Sequence, residues 1–238
     1  MNLNRNVFRE YDIRGVADVD FAGAFPYTLG QVFALYIINN KKGTNIAVSG
    51  DVRPSTDRLK KEFIKGVLSK GLDVTDIGIL PTPINYFSNY YPDINVDGSV
   101  QITGSHNPSE YNGFKFTLQK EPFFADKITK LYDMIESQEY NKSNSSDLKG
   151  KLKSENIIPI YIDDIVNRIT INKEIRVIMD CGNAAGAIVA PDIFKSLGIS
   201  LKQLYCNIDG TFPNHHPDPT VDSNLDKIIK EIKNDGKF

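Results

Sequence analysis

The sequence has no tryptophan, only three histidines and only two cysteines in 238 residues. Cys181 and Cys206 stand 25 residues apart with no C-x-x-C spacing, which argues against a disulfide scaffold or a zinc site and suits two buried thiols in a reducing cytoplasm. Charge of one sign is lacking too: 28 basic and 30 acidic residues leave a net charge of −2. That excludes the basic field on which non-specific nucleic-acid binding depends. No stretch approaches the roughly 18 consecutive apolar residues of a membrane span, and the opening "MNLNRNVFREYDIRG" has no apolar core of a signal peptide. A cytoplasmic protein without nucleic-acid or membrane partners is expected. The 40% hydrophobic content is enough for packed cores in one or two domains.

What is present is an alternation of two periods. Short β-branched runs at 45–50, 73–80, 100–103, 114–118 and 175–181 read as strands, and longer runs at 26–40, 55–71 and 126–138 show helical spacing. The pattern predicts an α/β fold of two domains with mixed, largely parallel sheets, whose functional loops follow the strands. The polar, Ser- and Asn-rich stretch 139–154 reads as a linker between an N-terminal domain (1–138) and a second one (155–238). The second domain reads as unfinished: its last helix, about 222–234, would lay Leu225, Ile228, Ile229 and Ile232 on a sheet short of a strand. Self-association through that face is expected.

One loop carries no aliphatic side chain. In "TGSHNPSEYNG" (103–113), Gly104 permits close approach to the backbone and Asn107-Pro108 ends the strand abruptly, so Ser105 is presented outward. An ordinary strand-exit turn fits the stretch by itself. A serine hydrolase fits poorly, since the G-x-S-x-G elbow is missing and the adjacent His106 would point elsewhere. Phosphoryl transfer relies on positioning and charge neutralisation, which suits a loop serine whose neighbours include Lys115 on the next strand, Arg14 in "YDIRG" and Arg53 in "SGDVRPST". His215-His216, with Asp209 and Asp218 nearby, could fix a loop or hold a metal. Adjacent side chains on an extended segment diverge, which favours loop fixing. "GNAAG" (182–186) lacks the dinucleotide-binding fingerprint.

"FREYDIRG" (8–15), "SGDVRPST" (49–56), "TGSHNPSEYNGFK" (103–115), "DCGNAAGA" (180–187) and "DGTFPNHHPDP" (209–219) together resemble the successive motifs of the α-D-phosphohexomutases, in the phosphomannomutase/phosphoglucomutase branch. The resemblance implies that Ser105 carries a phosphate given to and taken back from a hexose phosphate, through a glucose or mannose 1,6-bisphosphate intermediate. It implies that Lys115 moves protons at the sugar hydroxyl, that Arg14 and His106 touch the phosphoserine, and that Asn107 and Arg53 bind phosphate or shape the loop. It also implies a Mg2+ ion bound through the Ser105 phosphate. The matching aspartate stretch D-G-D-x-D-R does not occur in these 238 residues, and would follow Phe238. The chain therefore resembles the first domain and most of the second of a four-domain isomerase, inactive by itself. The alternative is a non-catalytic fragment of the same fold that binds phosphosugar or a partner.

Overall fold

The computed structural model describes residues 3–142 and 149–235. Parts of the predicted linker and of the C-terminal tail lie outside the described residues. In chain order the elements are β1 (Ile13–Val16), α1 (Ala17–Asp20), α2 (Phe25–Asn39), β2 (Asn45–Gly50), α3 (Thr56–Leu68), β3 (Asp73–Ile79), α4 (Thr82–Ser88), β4 (Gly98–Ile102), β5 (Tyr111–Leu118), β6 (Glu121–Pro122), α5 (Asp126–Glu136) and α6 (Glu139–Lys142). Then follow β7 (Leu152–Ser154), α7 (Ile158–Arg168), β8 (Arg176–Asp180), α8 (Ala190–Ser196), β9 (Ser200–Leu204) and α9 (Asp226–Asp235).

Seven strands form one mixed sheet in the order β1-β5-β4-β2-β3-β7, with β6 paired to β5. It is parallel from β4 through β2 and β3 to β7 and antiparallel on both sides of β5. A second sheet holds β8 and β9 in parallel. The predicted strands and long helices all form. The sequence reading did not single out β1, α1, α4, β6, α6 or β7. The last lies inside the stretch read as linker, where Leu152, Lys153 and Ser154 pair with Val74, Thr75 and Asp76. Its three side chains are exposed, so no apolar alternation announces it, and only the unpaired edge of β3 selects it.

Alternation along the strands sorts residues between two faces. One face carries Ile13, Ile46, Val48, Val100, Ile102, Phe114 and Phe116, all buried under α2, α3 and α5. Aromatic rings fill this core: Phe33 and Phe63 each pack on Phe116, and Phe63 also meets Phe114 with centroids 5.6 Å apart. The opposite face carries a smaller cluster, in which Ala47, Ile77, Leu80 and Ile84 meet Ile157, Val189 and the half-buried Tyr161 and Ile162. Helix α7, begun by Pro159 at its first turn, thus packs on α4 of the large sheet. The small sheet is fixed to the large one through that shared cluster.

Candidate active site

On the second face the register lines up a polar row. Arg14 on β1 pairs with Gly113 on β5, Gln101 on β4 pairs with Lys115 on β5, and Ser49 on β2 pairs with Gln101. Because side chains two residues apart share a face, Asp12, Arg14, Lys115, Gln101, Thr103, Ser49 and Asp51 all fall on this side, at the end of the sheet where the 103–113 loop leaves β4. Ser49 Oγ donates to Gln101 Oε1 at 2.5 Å, and Gln101 Nε2 donates to the Leu80 carbonyl at 3.0 Å. The polar row is thereby satisfied where it is buried.

Two D-x-R pairs organise the site. In the first, Asp12 Oδ2 accepts from Arg14 Nη2 at 2.5 Å and from Lys115 Nζ at 3.0 Å. Two cations share one carboxylate oxygen, leaving an excess positive charge. Arg14 is 8% exposed and its Nε–H is buried without a partner. In the second pair, Asp51 accepts from the Arg53 N–H and Nε, the Thr56 and Thr103 hydroxyls and the Gly104 N–H, all between 2.7 and 3.2 Å. The Arg53 guanidinium spends its remaining donors on the loop's carbonyls: Nη2 to Ser105 at 2.9 Å and Asn107 at 2.6 Å, Nη1 to Tyr111 at 3.1 Å and to Pro108. With all five N–H groups used inside the fold, Arg53 shapes the loop and has no donor left for a phosphate. Burial pushes its guanidinium below the ordinary value, with the Asp51 carboxylate pulling it back up and the Arg14 charge adding to the lowering. The two arginines are therefore close enough to feel each other.

This clamp holds Ser105 in an uncommon conformation. Its φ is +56°, a left-handed value that costs an L-residue about 1–2 kcal/mol. It is kept there by its N–H bond to Thr103 Oγ1 (2.9 Å) and by Arg53 on its carbonyl. The side chain is exposed, as the sequence predicts. Gly104 is required beside it: a Cβ there would lie 2.5 Å from Arg53 Cζ and 2.7 Å from the Tyr111 carbonyl oxygen. Asn107 turns the loop through an N–H bond to the Gly104 carbonyl (3.1 Å), which makes it loop-shaping like Arg53.

Ser105 and His106 line a cleft of about 310 Å³ whose far wall is built by Ala184, Ala185, Gly186, Phe212 and Pro217. Phe212 lies over the Arg53 guanidinium, 5.0 Å from ring centroid to Cζ. Gly210 sits so close to the Val52 carbonyl that a Cβ would come within 2.0 Å of its oxygen. Asn183 joins the two wall loops: it accepts from the Asp209 N–H at 3.0 Å, donates through Nδ2 to the Asn207 carbonyl at 2.7 Å, and accepts from Asn214 Nδ2 at 2.8 Å. Ala184 takes a φ of −96°, so alanine is unstrained there. Its neighbours Gly182 and Asn183 supply the left-handed turn. His215 fixes this loop, with Nδ1 on the His216 carbonyl (2.8 Å) and Nε2 on Asp180 (3.1 Å). The Asp218 carboxyl is held below the usual range by the Thr220 hydroxyl and N–H, with His106 and His216 adding their charge. His106 thus faces the second wall.

Among the described residues no three His, Cys, Asp or Glu side chains are grouped to hold a metal, and both oxygens of Asp51, the carboxylate next to the loop, are already committed. A magnesium ion therefore does not fit the donors of this chain taken alone.

A model of phosphoglucomutase/phosphomannomutase α/β/α domain I matches residues 5–142, and that of domain II matches residues 159–237. The chain belongs to the phosphoglucomutase/phosphomannomutase family. It is 35% identical over 231 residues to a phosphomannomutase/phosphoglucomutase of Pseudomonas aeruginosa, covering 97% of this chain and 48% of that protein. It is 34% identical to a phosphoglucomutase of Neisseria meningitidis, covering 98% and 49%. A solved phosphoglucomutase/phosphomannomutase family protein from Burkholderia thailandensis superposes with a TM-score of 0.89 at 32% identity, covering 97% of this chain and 50% of that one. The chain spans about half the length of the curated relatives it matches.

The residues expected at the site fall into three groups. Ser105 and His106 line the cleft, Arg14 and Lys115 are joined by Asp12, and Arg53 and Asn107 build the loop. Asp12, Asp51, Thr103, Asn183 and Phe212 were not singled out as site residues from the sequence. The two aspartates had a signal, since D-x-R in an extended segment puts both side chains on one face. Phe212 and Asn183 had none, because the chain position of a loop says nothing about which loop it will meet.

Proposed function

We propose that this chain is the phosphoryl-carrying half of a phosphohexomutase that interconverts hexose 1-phosphates and 6-phosphates of glucose or mannose. The observation that carries the reading is Ser105: an exposed residue at φ +56° on the wall of a cleft, in a loop clamped by five guanidinium hydrogen bonds from Arg53, four to the loop's carbonyls and one to Asp51. Such a loop is rigid before any ligand arrives, as positioning catalysis requires.

Phosphoserine at 105 would carry about −1.5 to −2 charges. The excess positive charge of Asp12, Arg14 and Lys115 supports it, and the unpartnered Arg14 Nε–H is a donor waiting for an acceptor. In the forward step the P–Oγ bond of phosphoserine breaks as a bond to a sugar hydroxyl oxygen forms, and Lys115, oriented by Asp12, handles the proton that hydroxyl loses. Reorientation of the bisphosphate presents its other phosphate to Ser105 Oγ for return. His106, next to Ser105 on the same loop, orients the phosphate across the cleft from the second wall. Magnesium, when bound in the whole enzyme, would neutralise phosphate charge, with Ser105 contributing only a phosphate oxygen.

A coupled hexose 1-phosphate to hexose 6-phosphate assay tests the reading. The 238-residue chain alone should be at least about 10⁴-fold slower than the same chain joined to the remaining half of the Pseudomonas relative, since removing one preorganised charge-stabilising group already costs about 10²–10³. Ser105→Ala should abolish the activity of the joined form. Activity that survives Ser105→Ala would refute the carrier role, and a joined form that folds without activity would favour a non-catalytic phosphosugar-binding fragment.

A further inference from the structure

The two cysteines do not behave as isolated buried thiols. Cys181 follows directly on β8, and Cys206 stands two residues past β9, so the parallel pairing of Asp180 with Leu204 brings them together. The Cys181 N–H donates to the Leu204 carbonyl at 3.1 Å. Their Sγ atoms lie 3.2 Å apart, and the Cys206 Sγ is 3.4 Å from the Leu204 carbonyl oxygen. Both residues are half-buried rather than sealed in a core, and Cys181 lines a cleft of about 200 Å³ with Asp180, Gly182, His215 and Pro217. The sulfurs need to close by roughly 1.2 Å to reach the ~2.05 Å of a covalent S–S bond.

Their place in the fold gives the pair a consequence. Cys181 opens the turn that continues into Ala184, Ala185 and Gly186, and Cys206 opens the loop that continues to Phe212 and Pro217. Those five residues are the far wall of the Ser105 cleft. The two loops are already joined just beyond the sulfurs by Asn183, whose N–H donates to the Tyr205 carbonyl at 2.8 Å.

We propose that Cys181 and Cys206 are a reversible oxidation site, at which a hydroperoxide drives an intrachain disulfide that clamps the two wall loops at their roots. One thiolate attacks a peroxide oxygen, the O–O bond breaks, and a sulfenic acid and one water form. The second sulfur then attacks the sulfenic sulfur and expels a second water. In all, two thiols and one hydrogen peroxide give one disulfide and two waters, the sulfurs being oxidised and the peroxide reduced. Burial and the neighbouring sulfur push the Cys181 thiol up to about 12, so Cys206 opens the reaction. Once Cys206 is a neutral sulfenic acid its thiolate charge no longer opposes ionisation of Cys181. A thiol reductant reverses the bond by exchange. This inference does not depend on the mutase reading.

The test treats the intact chain with hydrogen peroxide, then counts thiols under denaturing conditions and maps peptides. The expected result is loss of both titratable thiols, a mass lower by two hydrogens and one linked peptide pair containing Cys181 and Cys206, all restored by dithiothreitol. Amide exchange across 182–186 and 207–217 should slow in the oxidised form, whereas Cys206→Ser should show no peroxide-dependent change there. Thiols that stay titratable, sulfinic acid without a link, a bond between two chains, or a link with unchanged exchange in both loops would each overturn the proposal.

Discussion

The large sheet and the small one use the same strand–helix–strand construction, yet they are held by different forces. Around the large sheet, side chains such as Phe33, Phe63, Phe114 and Leu59 have no exposed surface at all. In α7 and α8 of the small-sheet part no residue is fully buried, and Ile229 and Ile232 of α9 are 42% and 43% exposed. Past residue 159 the buried residues, among those described, are Gly182, Asn183, Ala185, Val189 and Phe212. All five lie in or beside the loops that face the large sheet. Order in the second domain is thus concentrated where it touches the first, and its outer side rests on contacts such as Glu231 with Lys202 and Lys227, both at 2.6 Å. Burial and cleft geometry coincide: the best-buried part of the small-sheet half is the wall opposite Ser105.

The largest effect should come from removing the clamp. Arg53→Ala leaves Asp51 buried with an unpaired charge and frees four loop carbonyls, which should cost about 3–5 kcal/mol, whereas Ile232→Ala on the open face of α9 should stay within about 0.5 kcal/mol. Urea unfolding of the two variants measures both, and similar costs would erase the contrast between the two regions. A smaller effect is expected from Gly210→Ala, whose added Cβ would run into the Val52 carbonyl. Overpacking there should cost about 1–3 kcal/mol and should raise amide exchange in 207–217 while leaving α3 and β5 protected. Exchange that rises equally in both would mean that the wall is not separately docked.

The smallest effect is a pH effect on α9. The two lysines hold the Glu231 carboxyl down to about 2, from an ordinary value of 4.5. A carboxyl depressed on folding contributes its full stabilisation above about pH 4.5 and loses it as the pH falls towards 2. Amide exchange of α9 should therefore accelerate across that window ahead of the large-sheet core. At an exposed site the effect is screened by salt, and an acid response that is identical at low and high salt would contradict its origin in these ion pairs.

How far the sequence reveals this molecule follows the same contrast. Strands β2, β4 and β5 and helices α3 and α5 are legible because one face of each is buried in a single large core, which imprints a period on the sequence. Strand β7 is not legible, since Leu152, Lys153 and Ser154 are exposed and paired only through backbone. Ser105 stands out because its loop has no packing role, and Arg14 and Lys115 because they are cations carried in polar motifs of the sequence. The reversal is Arg53: composition offers it equally as a phosphate ligand or a loop residue, and only the five hydrogen bonds decide. Phe212 reaches Arg53 from more than 150 residues away in the chain, a contact that local pattern cannot encode. The thiols show the same limit, since a spacing of 25 residues hides two sulfurs that register brings to 3.2 Å.

Ser105 is the proposed phosphoryl carrier. Its most direct test is to incubate the chain with glucose 1,6-bisphosphate and magnesium and to map the phosphate by peptide mass spectrometry, alongside the chain joined to the other half of the Pseudomonas relative. Phosphate is expected on Ser105 in the joined form, none on Ser55 or Ser109, and none anywhere in Ser105→Ala. Phosphate on Ser55 or Ser109, or labelling that persists in Ser105→Ala, would contradict it.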